Sequence, residues 1–486
     1  MIKLLSSNLH LIKDNKILSI LIFLVISFYN SPFLFLEDFT LINLKKIFII
    51  FQHIIPVILF FILLPYVIRS HFFKLFFKKK YLSLLILFFI NFLQIYGTVF
   101  GELEYFYPID ENSSQIDGRI IVDHKVIYVK LLYIINNFNL FFIIYILNEK
   151  KILKLLLIIL LILIFFVFFY YFFIIMSELF TNNNIIFFYE SENIGLGKKL
   201  FSFTHPRSSG LARTTLVLSI FFTICFFHFK FDTQIKKKIT QLLFLLTIIT
   251  LNFFIFHLQS RFSIYFLFLF NFFFIVFLNK FDFRKIFIII FLFLFPLFLS
   301  LAFAEIKKNL IINKVCELKL KKNSNFLCSE YEKNEIRGSF VTKENRIVNT
   351  SLGLSNREEA WIRIIKSYKD IPILGFGVLA DKFVYQVTAS NIFLYLLLSG
   401  GIFALVLIVF FNIYIFFQIF AFLIYKKKAN SFNNNILFQF SYFCIMCFIA
   451  RSFVENSYGQ FSIDLMFFAP CCLIFGNYLR KYKIIS

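Results

Sequence analysis

A chain of 486 residues that is 60% hydrophobic, with a mean hydropathy of +0.83 and a net charge of +23, is not an ordinary soluble domain, which rarely exceeds half apolar. Its basic charge does not describe a nucleic-acid surface. The cations fall in short clusters between apolar runs, "RSHFFKLFFKKK", "NEKKILK", "KFDTQIKKK", "YKKK" and "RKYK", which is the positive-inside pattern of a membrane protein.

Apolar runs of about 20 residues, the length that crosses a hydrocarbon core of roughly 30 Å as a helix, recur along the chain. In order they predict about twelve spans: 17–36, 47–68, 81–100, 127–147, 151–176, 212–229, 239–257, 262–279, 284–304, 391–424, 436–453 and 461–479. The fold expected is therefore all-α and polytopic, a single membrane domain over residues 1–486. The first run is too long for a signal h-region and has no small-x-small cleavage site, so it is expected to remain as a span. With the N-terminus in the cytoplasm and strict alternation, every quoted lysine cluster and the C-terminal "RKYK" lie inside; Lys45 and Lys46 are a minor exception. Segments 101–126, 177–211 and 305–390 then lie outside. No internal repeat is visible. The 80 phenylalanines accompany abundant Ile, Asn and Lys, a bias of AT-rich codons, so aromatic stripes are read as lipid-facing or packing residues.

The largest outer segment, 305–390, contains "SNREEAWIRIIKSYKDIP". Ser355 or Asn356 is placed to cap a helix, Glu358 and Glu359 suit its first turn, and Pro372 limits its end. At about 100° per residue, Trp361, Ile364 and Tyr368 share an apolar face, and Arg357 falls on that face too. This is the pattern of an amphipathic helix docking at the interface. "LGFG" follows as a flexible return towards the tenth span. Cys225, Cys444, Cys447, Cys471 and Cys472 lie in apolar runs and read as packing residues. Cys316 and Cys328 share the large loop, where a disulfide is open to them.

The unusual polar residues all fall on the outer side. Arg207 and Arg213 flank the start of the sixth span. Arg261 sits in the short turn of "QSRFS", Arg357 on the loop helix, and Arg451 and Glu455 in "RSFVENSYG". Arginines are scarce at that face by the positive-inside rule. Each alone reads as snorkelling to headgroups or pairing with a carboxylate; together they suit a diphosphate. A guanidinium matches phosphate oxygens bidentately, and such bonds also stabilise charge growing on a leaving group. No D-x-D sequence is present, and Glu102-x-Glu104 reads as a solvated loop, so no metal is expected. An apolar groove with an aqueous mouth suits a polyprenyl-linked sugar. Transfer to a hydroxyl needs a base; the candidates are Glu455 and His205, then Glu358, Glu359 and Asp381.

In this order, "PRSSGLART", "LQSRFS", "REEAWIRIIKSYKDIPILGFG", "ASNIFLYLLLSGG" and "RSFVENSYGQF" resemble the O-antigen ligase and Wzy-type O-antigen polymerase superfamily, from about residue 200 to 470. The resemblance implies a GT-C-type inverting glycosyltransferase of the bacterial inner membrane, with its active site facing the periplasm. It would use an undecaprenyl-diphosphate-linked oligosaccharide without metal, nucleotide sugar or other cofactor. The lipid bilayer and a chain-length regulator are the expected partners. The family's arginines carry over to Arg261 and Arg357, and its R-x-x-G region to Arg207 and Gly210. Ligases usually read His-Asn where this chain reads Ser390-Asn391, which favours polymerase over ligase. The alternatives are a ligase acting on lipid A-core and, from another class, a transporter of lipid-linked sugars.

Overall fold

The computed structural model describes residues 42–69, 78–100, 123–180, 208–228, 234–257, 261–277, 283–322, 357–385, 389–425, 435–459 and 461–481. Among the described residues the chain is helical throughout and forms no strand. The helices are α1 (Ile42–Arg69), α2 (Leu82–Phe100, preceded by a 3-10 turn at Lys79–Tyr81), α3 (Asp123–Glu149), α4 (Leu153–Phe180), α5 (Ser208–His228), α6 (Gln234–His257) and α7 (Arg261–Phe277). Then come α8 (Phe283–Lys322), α9 (Arg357–Lys366, followed by a 3-10 turn at Tyr368–Asp370), α10 (Ala380–Phe383), α11 (Ile392–Tyr425), α12 (Ile436–Ser452) and α13 (Ile463–Lys481).

Every expected span after the first falls on one of these helices; the first, 17–36, lies outside the described residues. Among the described residues, seven helices are long and apolar enough to cross a membrane: α2, α3, α5, α6, α8, α11 and α13. The apolar stretches of α1, α4, α7 and α12 are shorter. The ninth expected span differs most. It is the first half of a 40-residue helix, α8, because residues 305–322 contain neither glycine nor proline and are rich in good helix formers.

The chain forms two compact units, Met1–Leu163 with Leu354–Ser486, and Ile164–Gly353. In the second, α6 packs on α5 and α8, and α7 packs on the same two. Asn252 of α6 accepts from Ser219 Oγ of α5 at 2.5 Å and donates to the Leu292 carbonyl of α8 at 2.8 Å. Such a bridge ties apolar helices where hydrophobic contrast between them is weak.

In the first unit, α2 lies between α3 and α11, α1 packs on α3, and α12 packs on α13. Helix α11 shows why it is apolar all round. Ala404, Ile408, Phe411, Ile415 and Phe422 are buried at helical spacing, while Phe403, Phe410, Phe416, Phe417 and Phe420 are exposed. A helix hydrophobic on every face suits an apolar surrounding. Phe422, Phe438 and Phe475 bring α11, α12 and α13 together at ring separations of 5.3–6.0 Å. The five cysteines of the apolar runs are free and buried, as packing residues. Cys328 lies outside the described residues, and with it any pairing to Cys316.

Residues 371–379, expected as a flexible return, are instead a fixed turn wedged among α2, α3 and α11. Helix α11 breaks at Gly401, whose φ is 68° and ψ −164°. The break leaves the carbonyls of Leu398 and Ser399 without their ordinary helical donors. Phe376 N–H donates to Leu398 at 2.7 Å and Gly377 N–H to Ser399 at 3.0 Å, while Ile402 N–H donates to the Ile373 carbonyl at 3.1 Å. The turn therefore takes the place of a helical turn. From α2, Thr98 Oγ1 accepts from Val378 N–H at 3.1 Å, and from α3, Lys130 Nζ donates to the Phe376 carbonyl at 3.2 Å. Gly97 permits this approach: a Cβ there would stand 2.4 Å from Gly377 N and 2.6 Å from the Gly375 carbonyl.

Candidate functional site

The turn between α12 and α13 carries Glu455, and the loop around α9 wraps it. Arg357, the first residue of α9, donates to the Val454 carbonyl at 2.9 Å, and its guanidinium stands 3.9 Å from Glu455 Oε1. Arg451, in the last turn of α12, donates to Glu455 Oε2 through Nε at 2.9 Å and through a terminal nitrogen as well. Its other terminal nitrogen lies 3.2 Å from the Asp464 carboxylate. A cation at a helix C-terminus and a carboxylate in the first turn of the next helix both suit the helix dipoles. Side-chain exposure separates the roles: Arg451 is 4% and Asp464 1% exposed, Glu455 16% and Arg357 31%.

The same turn is tied at further points. Asn391 Nδ2 donates to the Phe453 carbonyl at 2.8 Å. Asn456 Nδ2 donates to Asp381 Oδ2 at 3.4 Å, and that buried carboxylate oxygen also accepts from Ala389 N–H at 3.0 Å. Gln94 of α2 donates to the Gly459 carbonyl at 3.5 Å. Trp361 of α9 donates through Nε1 to the Ala389 carbonyl at 2.6 Å. A cavity of about 10 Å³ lies behind the turn, lined by Asn91, Gln94, Asn137 and Tyr458 together with apolar side chains such as Phe141 and Leu396. That is room for about one water and not for a sugar. Burial pushes the Tyr458 hydroxyl pKa up, against the pull of its hydrogen bonds to Ser452 and Asn412, so it stays protonated and is no base.

Helix α11 is capped by Asn391, its Oδ1 accepting from Phe393 N–H at 2.9 Å and Leu394 N–H at 3.2 Å. Asn391→Ala removes this cap, worth about 1 kcal/mol, and the bond to Phe453, worth about 1 more. The variant is expected to unfold about 2 kcal/mol more easily in a denaturant titration; an unchanged midpoint would reject the assignment. Tyr368 does not share the buried face of the loop helix, because α9 ends at Lys366 and Tyr368 opens a 3-10 turn, where it is exposed. Ile364 and Ala360 supply that face, and Ile362 and Ile365 are exposed.

Of the expected site residues, Arg357, Arg451 and Glu455 come together in the first unit. Asp381 lies under the same turn, and Glu358 is exposed on α9. Arg213 is half-buried on α5 in the second unit. Arg261 opens α7, also in the second unit. His205 and Arg207 lie outside the described residues. Asp464, which completes the ion-pair set, was missed by sequence reasoning; its signal was a carboxylate in the first turn of an otherwise apolar helix. Among the described residues, no group of three His, Cys, Asp or Glu side chains is arranged to hold a metal. No family model matches the chain, and neither a curated protein nor a solved structure does.

Proposed function

We propose that the chain is a polytopic membrane glycosyltransferase of the O-antigen polymerase type, with twelve spans and the Glu455 turn facing the periplasm. It joins oligosaccharide repeat units carried on undecaprenyl diphosphate into a surface polysaccharide. The observation that supports this reading is the meeting of Arg357 and Arg451 at Glu455, although the loop helix and the α12–α13 turn lie far apart in sequence. Arg451 is enclosed with two carboxylates and holds Glu455 in place. Arg357 is the more open cation, suited to oxygens of a lipid-linked diphosphate. In the reaction, a hydroxyl of the acceptor repeat unit attacks the anomeric carbon of the donor chain. The bond from that carbon to the diphosphate oxygen breaks, the carbon inverts, and the diphosphate leaves with the bonding pair. Glu455 takes the hydroxyl proton. Arg261, Arg207 and Arg213 remain the further candidates for the diphosphate, and His205 for the proton.

Arg357 provides the clean test. Its ion pair is long and partly exposed, and such pairs contribute little to stability. Arg357→Ala is therefore expected to accumulate normally in the membrane while losing roughly 10²–10³-fold in transfer, the loss typical of removing one stabilising donor. Deleting the gene should leave glycans of single-repeat length on a gel, and so should the Arg357→Ala gene. Long-chain glycan of normal abundance in both strains would reject the proposal. If the chain is instead a ligase, deletion strands polymer on the carrier lipid.

The break in α11 gives the transporter reading its one specific support, because broken helices often form transport sites. Here the carbonyls that the break frees accept from Phe376 and Gly377 N–H, so they are closed to an ion. Elongation of a lipid-linked donor by purified protein without an ion gradient would separate the two.

A further inference from the structure

The opposite end of the first unit gathers three cationic segments that are far apart in sequence. Tyr81 donates to Glu149, and Lys80 Nζ pairs with the same carboxylate at 2.6 Å. Asn148 Nδ2 donates to the Tyr81 hydroxyl at 2.9 Å, and Asn477 Nδ2 donates to Asn148 Oδ1 at 2.9 Å. Arg480 donates to the carbonyls of Lys79 at 3.0 Å and Lys80 at 2.9 Å, and to Asn477 Oδ1 at 3.1 Å. The N-terminal end of α2, the α3–α4 turn and the C-terminal end of α13 are thus bolted into one platform. Lys80 and Arg480 are occupied in building it. Lys78, Lys79, Lys151, Lys154 and Lys481 remain exposed around it, and Glu149 is the only carboxylate in the three segments.

The platform's place along the helices says what such a charge meets. The 19 residues of α2 rise about 28 Å, close to the roughly 30 Å of a hydrocarbon core. Phe89 and Phe92 are exposed between its ends, so the lysines stand where a bilayer's headgroups begin. We propose that this platform binds anionic phospholipid headgroups, whose phosphates bridge the exposed lysines of the three segments. The ammonium groups act as point charges on phosphate, and the fixed backbone beneath them holds the array together. The proposal stands whether or not the chain is a glycosyltransferase.

The test uses the purified full-length chain in vesicles of mixed phosphatidylglycerol and phosphatidylcholine, with the lipids retained after detergent extraction counted by mass spectrometry. Each lysine near an anionic surface contributes about fivefold to binding. The native chain should retain phosphatidylglycerol over phosphatidylcholine, and the preference should fall as salt rises. A chain with Lys78, Lys79, Lys151, Lys154 and Lys481 all changed to Gln should lose at least about tenfold of that preference. Arg357→Ala should keep it, which separates this surface from the Glu455 site. Equal retention of both lipids by the native chain, or a preference indifferent to salt, overturns the proposal. So does an unchanged preference in the five-site variant, or displacement of the lipid by inorganic phosphate.

Discussion

Gly401→Ala is expected to abolish the stable fold of the first unit. The backbone at Gly401, with φ 68° and ψ −164°, lies in a region that is essentially open only to glycine, and forcing another residue there costs about 1–3 kcal/mol. Space is the second penalty. A Cβ at this position would stand 1.8 Å from the Ile373 carbonyl oxygen, inside any contact distance. Relief requires the 371–379 turn to withdraw, and the two amides that satisfy Leu398 and Ser399 would withdraw with it. Buried backbone groups left unpaired cost about 1–3 kcal/mol each. The combined loss is about 4 kcal/mol or more, read as a collapse of the thermal midpoint in detergent. Gly400→Ala, one residue away, is the comparison: a Cβ there meets the Ala404 methyl at 2.6 Å and needs no left-handed backbone, so its loss should be smaller. Equal midpoints for native and Gly401→Ala chains would mean that the helix break is not held as described.

Arg451→Ala is the second large effect. The substitution takes the cation from the enclosed Asp464 and leaves Glu455 only its longer contact to Arg357. Breaking a buried pair in this way costs about 3–5 kcal/mol, because the orphaned charge remains buried. The sign of the repair is the diagnostic. Adding Asp464→Asn to Arg451→Ala removes one orphan and should recover part of the stability, although Asp464→Asn alone destabilises. A double-mutant cycle therefore gives a coupling energy well above zero; a cycle that closes at zero would show that the two residues act separately. Activity in this series is confounded by folding, which is why Arg357, and not Arg451, tests the chemistry.

Much of the architecture was legible in the sequence because it depends on local quantities. An apolar run long enough for a membrane must close its backbone hydrogen bonds within itself, so it becomes a helix wherever it sits. That eleven of the expected runs fall on described helices follows from that rule alone. The helix α9 was legible too, from two glutamates and an apolar face; its expected caps, Ser355 and Asn356, lie outside the described residues. The overrun of α8 shows the limit: hydropathy marks where an apolar run stops, and a helix continues past it until some residue breaks it.

The candidate site was legible only as a set of names. Arg357, Arg451 and Glu455 stood out because charged residues at apolar helix ends need partners, but their identities do not say which partners. The sequence by itself determined the described helices and the charged residues that stand at their ends. Only the tertiary structure decided that Arg451 is enclosed by Glu455 and Asp464 while Arg357 stays partly open, and that "LGFG" is a fixed wedge and no flexible return. The physical reason is the same for both. A buried charge or a broken helix must find its complement somewhere in the fold, and that complement is chosen by packing across hundreds of residues, which no local pattern records.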